Sequence, residues 1–390
     1  MIIPPANRLE HVQEYYFARK LREIRSRNAQ GEDIINLGIG NPDMMPSAST
    51  LDTLLETATQ SGNHGYQPYK GSPILRNGFQ EWYLRTYGVQ LDPESELLPL
   101  IGSKEGIMHI SMAFLNPGDQ VLVPNPGYPT YSSVSRLVGA TMIPYHLSEG
   151  QQWKPDFDQL ETLDLNPVKI MWVNYPHMPT GTPPSDELFK KIIAFGKKHQ
   201  ILICHDNPYS LVLNDSPKSI LAYEGATETA IELNSLSKSH NMAGWRVGVL
   251  AGAQSYINTV LKVKSNMDSG MFLPAQLAAA EALKNGENWH EERNQEYAAR
   301  RELIWKILES LQCDFSRNQA GMFVWAKIPV SMDDGETFSE RILNQAKVFL
   351  TPGFIFGSEG DQYIRASLCC SQSLLKQALD RILSSQLANV

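Results

Sequence analysis

Short apolar runs alternate with helical stretches between about residues 96 and 253, and this alternation limits the fold more than any other feature of the sequence. The runs lie at 97–103, 120–127, 141–147, 168–176, 200–209, 230–238 and 245–252. Strands that alternate with helices form a mainly parallel sheet covered by helices on both faces. We therefore predict an α/β fold whose large domain contains a mainly parallel seven-stranded sheet.

The pattern changes after about residue 275. Helical stretches there lead to three β-rich runs, "GMFVWAKIP", "VFLTPGFIFG" and "QYIRASLCC", which are typical of a smaller α+β domain. A chain of 390 residues is long enough for two domains. We predict a large domain over 45–280, and a small domain formed by 1–44 together with 281–390.

The composition, with 42% hydrophobic and 19% charged residues, is that of a soluble globular protein. No apolar run approaches the roughly 20 residues of a bilayer-spanning helix, and the N-terminus does not resemble a secretory signal. We therefore expect a cytoplasmic protein without a membrane partner. The net charge of -8 argues against a general affinity for nucleic acid.

The basic run at 18–27 is interpreted as the solvated face of an amphipathic helix, because Val12, Tyr16, Leu21 and Ile24 recur at helical spacing. The four cysteines show neither zinc-type pairing nor the density of a disulfide scaffold. Reduced thiols and no metal site are expected.

Several predicted strands end in clusters of polar residues. Ligands of open α/β sheets bind beyond the carboxyl ends of the strands, so these clusters are expected to form one site. They are Gly102-Ser103-Lys104, Asn125 to Tyr128, His205-Asp206-Asn207 and Ser235 to Lys238.

Lys238 lies in "SLSKSHNMAGWRVG", among hydroxyls and before an arginine. Most lysines are solvated charges, but a poorly solvated lysine loses its proton more readily and can form a Schiff base with an aldehyde. Ser235, Ser237 and Arg246 could surround a phosphate dianion. The glycine turn before Ser103 could add backbone N–H groups at a helix start, although such a turn is often only a cap.

Asp206 ends the apolar strand "ILICHD", where a carboxylate is costly unless it is paired. The alternative interpretation is that Asp206 is the N-cap of a helix. Tyr209 offers a phenolic hydroxyl three residues on. Tyr128 could place its ring against a flat heterocycle, although a tyrosine at a turn is more often a packing residue.

With these residues in place, and above all with the element S-L-S-K-x7-R, nearly the whole chain resembles fold-type I pyridoxal-phosphate enzymes of the class I/II aminotransferase family. The resemblance implies that Lys238 forms the Schiff base with the cofactor and then moves the substrate proton. It implies that Asp206 pairs with the pyridine nitrogen, Tyr209 with the phenolic oxygen, and that Tyr128 stacks on the ring. It assigns the phosphate to Ser103, Lys104, Ser235, Ser237 and Arg246.

The same resemblance assigns the residues that contact the substrate and the residue that reaches the partner subunit. Arg365 in "YIRASL" matches the arginine that binds the α-carboxylate of the substrate, and Gly40 matches a glycine next to that carboxylate. Tyr66 matches a tyrosine that reaches the phosphate of the neighbouring subunit. A homodimer with shared active sites, acting on an amino acid and a 2-oxo acid, is implied.

Met178 departs from the family pattern, which usually has asparagine before Pro-Thr-Gly. A thioether cannot donate a hydrogen bond to the phenolic oxygen of the cofactor. In an extended segment Asn174 would lie about 13 Å away and His177 would face the other side, so neither replaces that donor unless the loop bends or a water intervenes. Two hypotheses follow: Met178 alters the pKa of the bound cofactor, or it favours less polar substrates.

Two other functions stay open at this point. A β-eliminating lyase would use the same residues, and a non-catalytic regulator would use the fold only to bind the cofactor. The amino acid is also open, since the N-terminal region resembles branches that act on aspartate, alanine or diaminopimelate.

Overall fold

The computed structural model describes residues 2–10, 14, 16–385 and 387, and Val12 lies outside them. The strands are β1 Ile35–Asn36, β2 Leu97–Leu100, β3 Gln120–Asn125, β4 Thr141–His146, β5 Val168–Val173, β6 Leu202–Asp206, β7 Ala230–Ser235, β8 Gly248–Gly252, β9 Phe323–Lys327, β10 Val348–Phe349, β11 Thr351–Pro352 and β12 Tyr363–Ser367. The helices are α1 Tyr16–Ala29, α2 Ala48–Ala58, α3 Pro73–Tyr87, α4 Ser103–Phe114, α5 Pro129–Leu137, α6 Phe157–Leu160, α7 Asp186–His199, α8 Ala226–Thr229, α9 Leu236–Ser239, α10 Gln254–Lys264, α11 Leu273–Ala282, α12 Glu287–Ser310, α13 Gly335–Ala346 and α14 Gln372–Leu383.

The large sheet has seven strands in the order β2-β8-β7-β6-β5-β3-β4. Strand β8 runs antiparallel to β2 and β7, and the remaining neighbours are parallel. Each of the seven predicted runs contains one of these strands, so the prediction of a mainly parallel seven-stranded sheet is confirmed.

Continuous apolar strands and capped helices explain this layer structure. From Ile170 to Val173, β5 is fully buried, as expected for a strand covered on both faces. The following helix α7 begins at a real cap, where Ser185 Oγ accepts a hydrogen bond of 3.2 Å from the Leu188 amide. Acidic residues in its first turn and basic residues in its last turn suit the helix dipole.

Separate apolar clusters cover the two faces of the large sheet. Helices α4, α5 and α10 contribute Ile107, Val134 and Val260 to one cluster. Helix α7 contributes Phe189 and Ile192 to the other. The sheet is therefore buried on both sides, and its strand ends are the part left for binding.

A three-stranded antiparallel sheet, β11-β12-β9, forms a second layer with its own core. The three β-rich runs predicted after residue 275 contain β9 to β12. The N-terminal segment joins this region, because β1 pairs in parallel with β10. The domain limits at residues 45 and 280 stay a prediction.

Helix α1 contains the basic run, with Ile24 buried as expected. Lys20 is not solvated, however, because it is buried against Glu340 of α13 and bonds Glu23 at 2.8 Å. Within the described ranges, no helix combines the length and apolarity that crossing a membrane requires.

Candidate active site

A cavity of about 550 Å³ opens at the edge of the large sheet where β2, β3, β5, β6 and β7 end. Because β8 runs in the opposite direction, Arg246, which lies just before it, reaches the same edge. Arg365 of β12 and Phe323 of β9 line the other side of the cavity. The predicted residues that line it are Gly40, Ser103, Lys104, Tyr128, Met178, Asp206, Tyr209, Ser235, Ser237, Lys238, Arg246 and Arg365.

Lys238 lies in the one-turn helix α9, directly after β7. Ser235 caps this helix, since its Oγ accepts a hydrogen bond of 3.1 Å from the Ser237 amide. Lys238 Nζ donates a hydrogen bond to the carbonyl oxygen of Gly40. Burial lowers the pKa of Lys238, and the positive charges of Arg365 and Arg246 act in the same direction. The fold thus places a lysine with a lowered pKa inside the cavity.

Asp206 is the last residue of β6, and it is 4% exposed. Its Oδ2 accepts a hydrogen bond of 2.9 Å from the hydroxyl of Tyr131, whereas its buried Oδ1 has no hydrogen-bond partner in the described part of the chain. Burial raises the pKa of Asp206 to about 6. The carboxylate is therefore costly here unless a cation or a donor meets Oδ1.

The phosphate-side residues surround the start of helix α4. Gly102 has φ 79°, a conformation that favours glycine, and a Cβ at this position would lie 2.1 Å from Arg246 Nη2 and displace the guanidinium. Arg246 is held by the carbonyl of Ala243 at 2.9 Å. The first-turn N–H groups of a helix such as α4 and the Arg246 guanidinium both favour an anion at this end of the cavity.

Arg365 lies in an aromatic surrounding at the opposite end. Its guanidinium carbon is 3.8 Å from the ring centre of Phe323, 4.8 Å from that of Phe356 and 5.7 Å from that of Phe17. Its Nη2 donates to the Gly38 carbonyl at 2.8 Å. Gly40 lies against Phe323, whose ring would be 2.2 Å from a Cβ at that position. This arrangement fixes the guanidinium while its surroundings stay largely apolar.

Met178 is buried, and its sulfur lies 3.3 Å from Arg365 Nη1. The loop is bent rather than extended, so Asn174 lies beside Met178: its Oδ1 accepts a hydrogen bond of 2.8 Å from the Met178 amide. The Nδ2 of Asn174 donates to the Asp206 carbonyl at 2.5 Å, which uses one of its two N–H groups. His177 is turned to Thr180 at 2.8 Å. His177 is not among the residues that line the cavity, whereas Asn174 is.

Tyr66 is the one predicted site residue outside this cavity; it is 94% exposed on the same chain. Residues that line the cavity but were not predicted include Phe17, Tyr131, Asn174, Phe323 and Phe356. Asn174 follows β5 directly, so the rule about strand ends was the signal that could have found it. Tyr131 lies one helical turn after Tyr128, whereas the phenylalanines gave no signal.

Glu105, His109 and Asp268 are the one group of described residues whose ligand atoms lie within 4.8 Å of one another, as a metal site requires. The ammonium of Lys264 already bonds both carboxylate oxygens of Asp268 at 2.7 Å. The cluster therefore has an internal counterion, and it lies outside the residues that line the cavity.

Comparison with known proteins identifies the family. The family model of aminotransferase class I and II matches residues 32–382. The chain belongs to this family. It is 36% identical to the LL-diaminopimelate aminotransferase of Dehalococcoides mccartyi strain BAV1 over 97% of both chains. It is 38% identical to that of Desulforudis audaxviator over 97% of this chain and 96% of the relative.

The fold comparison agrees. Substrate-bound BacF from Bacillus subtilis superposes with a TM-score of 0.93 and 33% identity, covering 99% of this chain and 98% of BacF. The chain is thus a pyridoxal-phosphate-dependent aminotransferase, which moves an amino group between an amino acid and a 2-oxo acid. The predictions of family, fold type, cofactor and activity are confirmed.

The residues of this aminotransferase fit the cofactor. The buried Oδ1 of Asp206 has no partner in the described chain, and a protonated pyridine nitrogen would supply the missing cation. The anion-favouring end at Gly102 and Arg246 suits the phosphate. Lys238 provides a buried amine in the same cavity. Charge and donor type at both ends therefore match pyridoxal phosphate.

Proposed function

We propose that transamination takes place in this cavity, with Lys238 as the amine that holds the cofactor and moves the substrate proton. The observation that carries the proposal is the presence, in one cavity, of a lysine with lowered pKa, a buried carboxylate with an unpartnered oxygen and a fixed arginine. These three groups correspond to the three charges that the reaction must handle: an amine, a pyridinium and a carboxylate.

The other residues would hold the cofactor in place. Asp206 would hold the pyridine nitrogen through Oδ1, and the hydroxyl of Tyr209 would donate to the phenolic oxygen. Tyr128, whose ring forms a T-shaped pair with that of Tyr131 at 5.5 Å, would stack on the ring of the cofactor. The proposed phosphate residues are Ser103, Lys104, Ser235, Ser237 and Arg246.

Bound pyridoxal phosphate supplies an electron sink for the electrons of the substrate's α-carbon. The role of the chain is to move the α-proton, and the lowered pKa of Lys238 makes loss of the proton from Nζ easier. The capping bond between Ser235 and Ser237 fixes the helix that carries this amine. Lys238 Nζ accepts the proton from the α-carbon and returns it on the path to product.

Arg365 would bind the α-carboxylate of the substrate. The guanidinium is held by Gly38 and by the surrounding rings, so little side-chain freedom is lost when the carboxylate arrives. Arg365 and Lys238 line the same cavity, so a substrate whose carboxylate is bound at Arg365 would lie in the cavity that contains the base. Arg365 therefore selects α-amino acids and orients the α-hydrogen.

Two kinds of amino acid are candidates for the substrate, and they differ in the side chain. The names of the relatives favour LL-diaminopimelate as the first donor to test. The rings of Phe17, Phe323 and Phe356 around Arg365 instead favour a large apolar or aromatic amino acid.

The absorbance spectrum of the holoenzyme, recorded with each amino acid in the absence of any oxo acid, tests the function and ranks the donors. Conversion of the visible cofactor band to that of the aminated cofactor establishes the half-reaction. Release of ammonia and an oxo acid from β-substituted amino acids, without conversion of the band, would instead identify a lyase. A band unchanged by every amino acid would contradict transamination at this cavity.

Met178→Asn is expected to shift the pH midpoint of the visible cofactor band to lower pH, because the amide adds a donor to the phenolic oxygen. A hydrogen bond to a charged group is worth about 1.5–3 kcal/mol, or roughly a 10- to 100-fold change. Met178→Leu is the matched control: it keeps an apolar side chain of similar size and adds no donor, and like Met178→Asn it removes the sulfur that accepts from Arg365 Nη1. Identical titrations of the two variants would contradict the hypothesis that Met178 alters the pKa of the bound cofactor. Identical rankings of the amino-acid donors would contradict the hypothesis that Met178 affects substrate selectivity.

We also propose the homodimer. Tyr66, Met45 and Phe272 are 94%, 67% and 47% exposed, and the ring of His64 lies 5.8 Å from that of Phe272. Tyr66 lies outside the cavity of its own chain, which suits a role in the partner's phosphate site. Tyr66→Phe is expected to raise the Kd for pyridoxal phosphate about tenfold while the dimer persists.

Light scattering and cofactor titration measure the two effects separately. A monomer at all protein concentrations would contradict the dimer, and an unchanged Kd would contradict the role of the hydroxyl. The cytoplasmic location is proposed from the composition, and cell fractionation tests it.

A further inference from the structure

Arg293 is a buried arginine behind the active site. It lies in the second turn of the long helix α12 and is 4% exposed. Its Nη1 donates a hydrogen bond to the carbonyl of Ser239, and its Nη2 donates to the carbonyl of Leu211. One guanidinium therefore bridges two segments that are 28 residues apart in the sequence.

These two segments carry Lys238 and Tyr209. Ser239 directly follows Lys238 and is the last residue of helix α9. Leu211 lies two residues after Tyr209, in the turns that follow β6. The bridge therefore connects the proposed base to the proposed donor for the phenolic oxygen, from outside the residues that line the cavity.

The neighbouring residue strengthens the bridge on one side. Asn294 Nδ2 also donates to the Leu211 carbonyl, at 3.1 Å, and its Oδ1 accepts from the Leu213 amide at 3.3 Å. Arg293 Nη2 in turn donates to Asn294 Oδ1 at 3.0 Å. The loop after Tyr209 is thus held at several main-chain atoms by two adjacent side chains of α12.

Arg293 is buried without a carboxylate among its described hydrogen-bond partners, which is unusual for a structural arginine. The hydrogen-bond partners of Arg293 within the described chain are carbonyls, the Asn294 amide oxygen and, at 3.1 Å, His290 Nδ1; none is a carboxylate. Burial lowers the pKa of Arg293 to about 10. Burying a charge costs several kcal/mol, and an apolar side chain of similar volume often stabilises a fold as well or better. The bonds to the two carbonyls are the compensating feature that such a replacement would lose.

We propose that Arg293 is a positioning residue for transamination: it fixes Lys238 relative to Tyr209 by bridging the main chain next to each. The inference rests on the roles proposed for these two residues. A base must stay within hydrogen-bond reach of the proton it takes. Displacement of the base by about 1 Å can lower the rate about 100-fold.

Arg293→Met and Arg293→Lys in the holoenzyme test this role. Methionine keeps much of the volume and loses every donor, whereas lysine keeps the charge but cannot donate from a rigid fork to two carbonyls. We expect kcat to fall about 100-fold in Arg293→Met and less in Arg293→Lys. The KM for the amino acid is expected to stay unchanged because Arg365 is untouched. The pH midpoint of the visible cofactor band is expected to shift in Arg293→Met.

Arg301→Met is the matched control. Arg301 lies on the same helix, is half-buried, and also donates to a main-chain carbonyl, that of Gln319, at 3.1 Å. Its loss is expected to lower Tm and to leave kcat and the spectral midpoint unchanged. Equal effects of Arg293→Met and Arg301→Met on kcat would overturn the positioning role.

Wild-type kcat in a folded Arg293→Met variant would also overturn the positioning role. Should Arg293→Met not fold, Arg293→Lys decides, and wild-type kcat in that variant would overturn the two-carbonyl bridge. A wild-type protein whose cofactor band no amino acid converts would instead refute the proposed function itself. The two failures are thus distinguishable.

Discussion

Lys238→Ala is expected to lower kcat for transamination by about 10²–10⁴-fold, the contribution that a positioned general base makes. Lys238 Nζ is the buried amine of the cavity, and alanine leaves the substrate's α-proton without an acceptor at that position. The fold is expected to persist, because alanine removes the amine without leaving a buried charge unpaired. Single-turnover kinetics with saturating cofactor measure the effect without interference from cofactor loss.

Two controls separate a lost base from a damaged site. Lys104→Ala removes the other lysine that lines the cavity, and we expect weaker cofactor binding with a much smaller loss of kcat. Small primary amines added to Lys238→Ala should restore part of the rate, with faster rescue by more basic amines. A Lys238→Ala rate close to that of the wild type would refute the assignment of Lys238 as the base.

The strand ends explain why much of the site could be predicted. Asp206, Ser235 and Lys238 lie at or just after the ends of adjacent parallel strands, so the βα alternation alone brings them to one edge. Arg246 reaches that edge because β8 is reversed, a detail that the sequence pattern did not reveal. For Arg365 the sequence offered only the resemblance, since its placement depends on how the small sheet packs against the large one.

Other contacts cross long stretches of chain and leave no local signature. The bond from Tyr131 to Asp206 joins residues 75 positions apart, and Arg293 reaches Ser239 across 54. The rings around Arg365 come from α1, β9 and a turn before β12, and each alone looks like an ordinary core residue. Local patterns predict elements and strand ends, whereas partners of this kind follow only from the packing.

Asp206→Asn is expected to lower kcat by about 10²–10³-fold, the effect of removing one partner of a buried charge pair. Asparagine has nearly the same shape, and its oxygen can still accept the hydrogen bond of Tyr131, so the packing is preserved. What it lacks is the negative charge that keeps the pyridine nitrogen protonated. Steady-state kinetics with saturating pyridoxal phosphate measure the loss, and a variant with wild-type kcat would contradict the pairing.

The same substitution is expected to stabilise the protein without its cofactor. Burial raises the pKa of Asp206 to about 6 from 3.8, so this group contributes stability that is present below about pH 4 and is lost as pH rises through about 6. The difference between the two values corresponds to about 3 kcal/mol, a loss that the Asp206→Asn variant does not share because its amide does not titrate.

Urea unfolding of the two apoproteins at acid and at mildly alkaline pH measures this effect. We expect Asp206→Asn to gain stability relative to the wild type as pH rises from about 4 to above about 6, and equal pH dependence of the two proteins would contradict the raised pKa. Tyr131→Phe should widen the difference, because the hydroxyl bond lowers the pKa of Asp206. A carboxylate that weakens the apoprotein at neutral pH, yet is needed for turnover, is explained by the cation it meets in the holoenzyme.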